Sequence, residues 1–364
     1  RRRPRSTRHF TLRKRTRIML KKDHLEMLNN LEQGGEPTKP GQHERVIFID
    51  GLNLFLRNFA VLNFVNDSGN HIGGLSGFLR SLGALINRIQ PTSIYLVFDG
   101  VGASTNRRYL LPEYKANRHI TRITNWDAFD DISDENDSKV EQITRLVQYL
   151  KCLPVKVVSI DKLEADDIIA YMAKDMAKKF DSKSYIVSSD RDFLQLVDDN
   201  ITVYRPIEKE FYSPQTMKDK FGMVPENFIH YKVLLGDNSD NVPGVRGLGK
   251  KGIFKRFPEL LEGPIPFNKI YDLSVERLKD SVVFARVVHG WDQLLNSKKV
   301  MDLENPLVSE EEAEYLSQLP LEPLNELRIL EFMSLYNEDG LKHHIKNTEF
   351  WLKDIFTKLT YDSK

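Results

Sequence analysis

The chain has 364 residues, 40% of them hydrophobic and 29% charged, with a formal net charge of +1. That length buries a sizeable core and holds two or three compact units. No apolar run approaches the roughly 18 residues of a membrane span, and the N-terminus lacks a secretory apolar core, so a cytoplasm-like compartment is expected. Cys152 is the only cysteine, which excludes intramolecular disulfides and thiolate-rich zinc sites.

Residues 1–44 carry twelve Lys/Arg against five Asp/Glu, a balance of +7 that leaves −6 for the rest. Such an arm suits contact with a polyanion, and equally a solvated, flexible tail; its Arg-rich, acid-poor start also has the look of a transit peptide. From Arg45 short apolar runs alternate with helical periodicity, the pattern of βαβ units and a parallel sheet. Val46–Ile49 is a predicted strand, Phe78–Ile89 a helix and Ile94–Phe98 the next strand. Ser138 with Glu141 reads as a capping box opening a helix whose stripe is Val140, Ile143, Val147 and Leu150. Val155–Ile160 is a third strand. The next helix places Ala165, Ile168, Ile169, Met172, Ala173, Met176 and Phe180 on one face. Ser184–Ser188 and Ile201–Tyr204 are further strands, and beyond about Thr216 the chain reads as helical.

Three predicted strands end in aspartate: Asp50, Asp99 and Asp190. In an open parallel sheet the carboxyl ends share one edge, where ligands bind. The third strand leads to Glu164, Asp166 and Asp167 at a helix start; Asp192 follows Asp190, and Asp237 and Asp240 lie in the loop Gly236–Asn241. Each acid alone is explained as a helix cap. Nine carboxylates at one edge would repel strongly without cations. An all-oxygen donor set selects two Mg²⁺ or Mn²⁺ ions, which clamp the attacking and leaving oxygens of a phosphoryl displacement.

Asn106–Arg118 interleaves Arg107, Arg108, Lys115 and Arg118 with Tyr109 and Tyr114, and six acids follow within Asp127–Asp137. Cations among aromatics suit a single strand, with rings stacked on bases. Gly244–Lys251 superficially matches a phosphate loop, but Lys251 stands where Ser or Thr belongs and no strand precedes it. It reads as a glycine-rich turn between helices, whose amides at Gly244, Gly247 and Gly249, with Lys250, Lys251, Lys255 and Arg256, grip duplex phosphates. A plain helix-helix connection is the alternative.

The blocks Val46–Gly51, Val97–Gly100, Leu111–Arg118, Glu164–Asp167, Ser188–Asp192 and Gly236–Lys250 together resemble the 5′ nuclease superfamily: flap endonucleases, the 5′-nuclease domain of bacterial DNA polymerase I, and especially bacteriophage 5′ exonucleases and phage ribonuclease H. The resemblance implies an α/β fold of the PIN-like kind, a mostly parallel sheet flanked by helices, and four parts: an arm (1–44), a catalytic domain (45–215) with a helical arch at about 101–138, a helix-three-turn-helix subdomain (216–290) and a helical extension (291–364). It implies that Asp50, Asp99, Glu164 and Asp166, with Asp167 nearby, hold a first metal, and Asp190, Asp192, Asp237 and Asp240 a second. Lys115 and Arg118 match residues contacting the scissile phosphate, and Tyr114 an aromatic beside the cleaved nucleotide. Gly244–Lys251 matches a turn that binds K⁺ through carbonyls. Expected substrates are branched, flapped or RNA-primed duplex DNA, cut to 5′-phosphate products by a monomer in a cytoplasm, the host's if phage-encoded. Contact with a sliding clamp or single-strand DNA-binding protein is implied for the C-terminal part. The competing readings are a PIN-type nuclease of single-stranded RNA, a non-catalytic scaffold for branched DNA and an NTP-hydrolysing motor.

Overall fold

The computed structural model describes residues 43–118, 122–341 and 343–359. The predicted basic arm lies outside the described residues except for its last two. Six strands form one sheet: β1 (Arg45–Asp50), β2 (Ser93–Val97), β3 (Lys156–Val158), β4 (Lys183–Val187), β5 (Ile201–Arg205) and β6 (Glu210–Tyr212), in the order β3-β2-β1-β4-β5-β6. All neighbours run parallel except β5 and β6. The chain goes outward from β1 to β2 and β3, then returns to place β4 on its other side. That reversal opens a crevice at the carboxyl ends of β1 and β4.

Strand alternation builds two cores. Val46 and Phe48 of β1, Tyr95 and Val97 of β2 and Ile186 of β4 face one core; Ile47, Ile49, Ile94, Leu96 and Val187 face the other. Fully buried, β-branched strands of this kind belong in the middle of a sheet covered on both faces. The second face is covered by α1 (Gly51–Val61), α2 (Gly73–Ile89) and, after the short α3 (Thr105–Leu110), by α4 (Ile132–Leu150). The first is covered by α5 (Ala165–Phe180), whose buried residues include Ile168, Ile169, Met172, Ala173 and Met176. The helices α6 (Pro214–Phe221), α7 (Phe228–Leu235), α8 (Lys250–Arg256), α9 (Glu259–Glu262), α10 (Phe267–Glu276), α11 (Val282–His289), α12 (Trp291–Met301) and α13 (Glu310–Gln318) continue that core. The last two, α14 (Ile329–Glu338) and α15 (Thr348–Phe356), return to the α1/α2/α4 side.

Three local expectations are corrected. Helix α2 begins at Gly73 rather than Phe78, because its glycines serve close approach: a Cβ on Gly73 would lie 1.9 Å from the Leu62 carbonyl oxygen. Helix α4 begins at Ile132, capped by Asp131, whose side chain accepts from the Ser133 and Asp134 amides. Ser138 lies inside it, Val140 is exposed, and the buried face is Glu135, Gln142, Leu146, Tyr149 and Leu150. Strand β6 was not expected, since its three residues carry no alternation long enough to read.

Candidate metal centre and nucleic-acid interface

The strand ends and the α5 terminus bring five acids together. Asp50 caps α1, accepting from the Asn53 amide at 3.0 Å and the Ser188 hydroxyl at 3.1 Å. Burial, then the charges of Asp99 and Asp190, push its carboxyl up to about 6. Asp99 accepts the Ala165 amide at 2.8 Å, so the β2 end and the α5 start are clasped. Asp166, in the first turn of α5, is raised well above the ordinary aspartate range by burial and by Asp190, Asp50 and Glu164. Asp190 follows β4 and accepts the Asp192 amide at 2.8 Å. The α5 N-terminus offsets part of this negative charge, while burial and the acids' mutual charge keep Asp50 and Asp166 raised.

Glu164 is buried and fully engaged. It accepts from Lys115 Nζ and Ser104 Oγ, both at 2.8 Å, and from the Tyr114 hydroxyl at 3.0 Å, with Arg107 at 3.1 Å. Burial would raise its carboxyl, yet Arg107 and Lys115 outweigh burial and hold it below the usual range.

A second acidic group is built by loops. Lys232, near the end of α7, bridges Asp192 and Asp237 at 2.7 Å each. Burial and Asp190 still push Asp192 up to about 7. Asp237, although burial opposes it, is held down to about 2 by Lys232 and by the Ser239 hydroxyl and amide. Asp240 pairs with Arg118, and its carbonyl accepts the Lys115 amide at 2.8 Å. Lys115 itself takes a left-handed backbone, φ 56°, which a lysine adopts only when its surroundings enforce it.

Asp167 departs from the expected ligand set. It is 1% exposed, and its oxygens are taken by the two arms of the Arg107 guanidinium and by the Leu307 amide. Arg107 also donates to the Val300 carbonyl at 2.8 Å and is 4% exposed. It is therefore an internal tie between α3, α5 and α12, not the strand contact expected. Tyr114, expected beside a nucleotide, is 4% exposed and lies under Glu164 and Asp240 with its hydroxyl between them. Arg108 and Tyr109 remain exposed. The sequence reading missed Lys232, Ser104 and Ser188. Lys232 had one usable signal, a lone cation one helical turn before an Asp-rich loop.

Among the described residues no three Asp, Glu, His or Cys side chains close on one point as a finished metal cage. The acids instead surround a tight cleft of about 10 Å³ lined by Asp166, Asp192, Asp237, Asp240, Tyr114 and Arg107, room for roughly one water-sized sphere. Oxygen-only donors, carboxyls raised by burial and by one another's charge, and ammonium groups standing where positive charge is needed all fit a small hard cation.

In the glycine turn, Gly236 and Gly244 approach so closely that a Cβ on Gly244 would lie 2.4 Å from the Gly236 nitrogen. Gly247 has φ 79°. Gly249 precedes α8 with open space around its Cα, leaving Lys250 and Lys251 exposed beside accessible amides. The Arg246 carbonyl accepts from Arg286 at 2.8 Å.

The sheet is doubly wound, with its acids gathered at the switch point, where open α/β sheets bind their ligands, and with cations clasping them. The family model for the 5′-3′ exonuclease N-terminal, resolvase-like domain matches residues 45–222. The 5′-3′ exonuclease of Buchnera aphidicola subsp. Schizaphis graminum is 30% identical over 267 residues, covering 72% of this chain and 84% of that protein. The chain belongs to the 5′-3′ exonuclease family. DNA polymerase I of Bacillus subtilis is 30% identical over 264 residues, 71% of this chain but 28% of the polymerase, so the chain spans under a third of that relative. A bacteriophage T5 flap endonuclease, solved with DNA and metal ions, superposes with a TM-score of 0.64 at 19% identity, covering 76% of this chain and 98% of that one. The T5 5′-exonuclease with bound zinc gives 0.63 at 20% identity, covering 77% and 99%. At such identity these two structures establish the shared fold.

Proposed function

We propose that the chain is a divalent-metal-dependent, structure-specific 5′ nuclease that hydrolyses phosphodiesters in flapped, branched or RNA-primed duplex DNA and leaves 5′ phosphates. The observation that carries this reading is the placement of Asp50, Asp99, Glu164, Asp166 and Asp190 at one sheet edge, with Asp192, Asp237 and Asp240 facing them. These eight acids are the residues that would hold two Mg²⁺ or Mn²⁺ ions. Such ions supply Lewis acidity, neutralising phosphate charge and easing the loss of a proton from water.

The chain's own residues do the rest. Lys115 and Arg118, now engaged with Glu164 and Asp240, are the cations that turn to the scissile phosphate and stabilise charge on its oxygens. Tyr114 and Arg107 keep Glu164 and the start of α5 fixed beneath them. Lys232 holds Asp192 and Asp237 in place. Exposed Arg108 and Tyr109 line the approach of the strand that is cut. The Gly244–Lys251 turn grips the duplex through amides and Lys250 and Lys251, and its carbonyls are the expected K⁺ donors.

The test is cleavage of 5′-labelled DNA flap, RNA-primed duplex and linear single strand, with Mg²⁺ or with EDTA, at fixed salt. Magnesium-dependent cutting at the junction, faster than on the single strand, is expected, and Asp190→Ala should abolish it while sparing DNA binding. Normal turnover by Asp190→Ala would sink the metal assignment. Junction binding without cutting would point to a scaffold, and preference for unpaired RNA to a PIN-type enzyme.

A further inference from the structure

The segment 113–118 and the loop 237–244 are joined by contacts that lie outside the acidic set. Asn241 donates from Nδ2 to the Glu113 carbonyl at 2.9 Å and accepts from Asn117 Nδ2 at 3.2 Å. One residue earlier, the Asp240 carbonyl accepts the Lys115 amide at 2.8 Å. Asn241 thus holds the segment on both sides of Lys115, whose ammonium is 2.8 Å from Glu164.

The backbone is left-handed on both sides of this joint, with φ 58° at Asn241 and φ 56° at Lys115. Glycine takes that conformation at no steric cost, and asparagine is among the few other residues that tolerate it. What asparagine adds over glycine at position 241 is its amide, and that amide is bonded to Glu113 and Asn117. Left-handed residues with side chains persist where the surroundings fix them, so two facing each other mark a joint held to one geometry. The far end of the loop is fixed as well. Asp237 and Val242 exchange both backbone hydrogen bonds at 2.8 Å, the Val245 amide donates to the Leu234 carbonyl at 2.9 Å, and Ser297 Oγ donates to the Pro243 carbonyl at 3.0 Å. Gly244 then packs on the Gly236 backbone with no room for a Cβ. A shift of the Gly244–Lys251 turn is therefore carried to Asn241, and through it to the segment bearing Lys115 and Arg118.

We infer that Asn241, acting with Asn117, is the positioning residue that makes cleavage depend on duplex seated on the glycine turn. It ties the backbone of 113–118 to the loop leading into that turn, so Lys115 and Arg118 are set over a phosphate at a fixed distance from the gripped duplex. Neither asparagine touches the reacting phosphate; what they confer is preference for the junction. The inference rests on the nuclease reading and deepens it by assigning the source of its specificity.

The test compares the wild-type full chain with Asn241→Gly, Asn117→Ala and the double variant on a 5′ DNA flap and a linear single strand. Cleavage is followed in single turnover with saturating protein and Mg²⁺, and duplex affinity by anisotropy in EDTA. Asn241→Gly keeps the left-handed backbone and removes only the amide. Losing the two hydrogen bonds that set the geometry should slow flap cleavage about tenfold, while duplex affinity and the single-strand rate stay within about twofold. Asn117→Ala removes one of the two bonds and should lower the flap rate about threefold. The double variant should be no slower than Asn241→Gly, since both changes act on one joint. An equal loss on both substrates would make Asn241 a support for Asp240 alone, and weaker duplex binding with an unchanged saturated rate would make it a duplex contact. Either result, or an unchanged preference for the flap, overturns the inference. If Asn241→Gly melts early in EDTA, Asn117→Ala decides the matter from the other side of the joint. A wild type that cuts neither substrate fails the nuclease reading and takes this inference with it, whereas a flap-preferring wild type beside equally flap-preferring variants fails this inference alone.

Discussion

Replacing Lys232 with Met removes the one ammonium that separates Asp192 from Asp237 while keeping the volume of the side chain. Its Nζ is 2.7 Å from an oxygen of each. At an effective dielectric near 20 each contact carries about 6 kcal/mol of gross attraction. Most of that repays desolvation, and breaking a partly buried pair by deleting one partner costs a net of about 3–5 kcal/mol. The cost should be low in this range, because Asp192, already raised by burial and by Asp190, can take up a proton rather than face Asp237 as a second charge. For a body of this size that is a Tm drop on the order of 4–7 °C in EDTA. Magnesium at about 100 times its Kd should return roughly 2.7 kcal/mol, since added cations replace the lost charge. The assay is thermal melting by circular dichroism at pH 7.5 with EDTA and then with Mg²⁺. If Lys232→Met melts within about 1 °C of the wild type in EDTA, the ammonium is not compensating the acids and the reasoning fails.

Asp50 and Asp192, raised to about 6 and about 7, bind protons more tightly folded than unfolded. The metal-free fold should therefore lose stability as pH rises from 5 to 8, with Asp192→Asn flattening the trend; a level Tm across that range would contradict the clustering. Glu135 behaves oppositely: enclosed, it accepts the Thr124 and Asn125 amides and Lys139, and is held down to about 2 despite burial. Its contribution is complete above the ordinary glutamate range and lost as pH falls toward 2. Glu135→Gln should thus cost about 2 kcal/mol at pH 6 and progressively less below pH 4 in denaturant titrations, and a pH-independent deficit would refute the charge assignment. Gly244→Ala must displace the Gly236 backbone, so a loss of about 1–3 kcal/mol with weaker duplex binding by anisotropy is expected. Unaltered affinity would show that the turn does not touch the duplex.

The sequence by itself determined the five strands β1 to β5, because buried β-branched runs such as Val46–Ile49 have few other uses, and it located the acids, because strand ends in a parallel sheet share an edge. The glycine turn was legible as a turn because Gly236 and Gly247 sit at positive φ, and Gly244 where no Cβ fits. What tertiary structure alone decided is the direction each side chain takes once the chain closes. Asp166 and Asp167 are adjacent in sequence, yet the α5 helix turns consecutive residues about 100° apart, sending one to the cleft and the other to Arg107. Arg107 and Arg108 differ in the same way, one buried and one exposed. Lys232 reaches Asp192 across 40 positions of chain, a contact that no local pattern encodes. The C-terminal segment likewise folds back beside α2, setting Trp351 against Gly83, a long-range packing decision written in the apolar faces of α14 and α15.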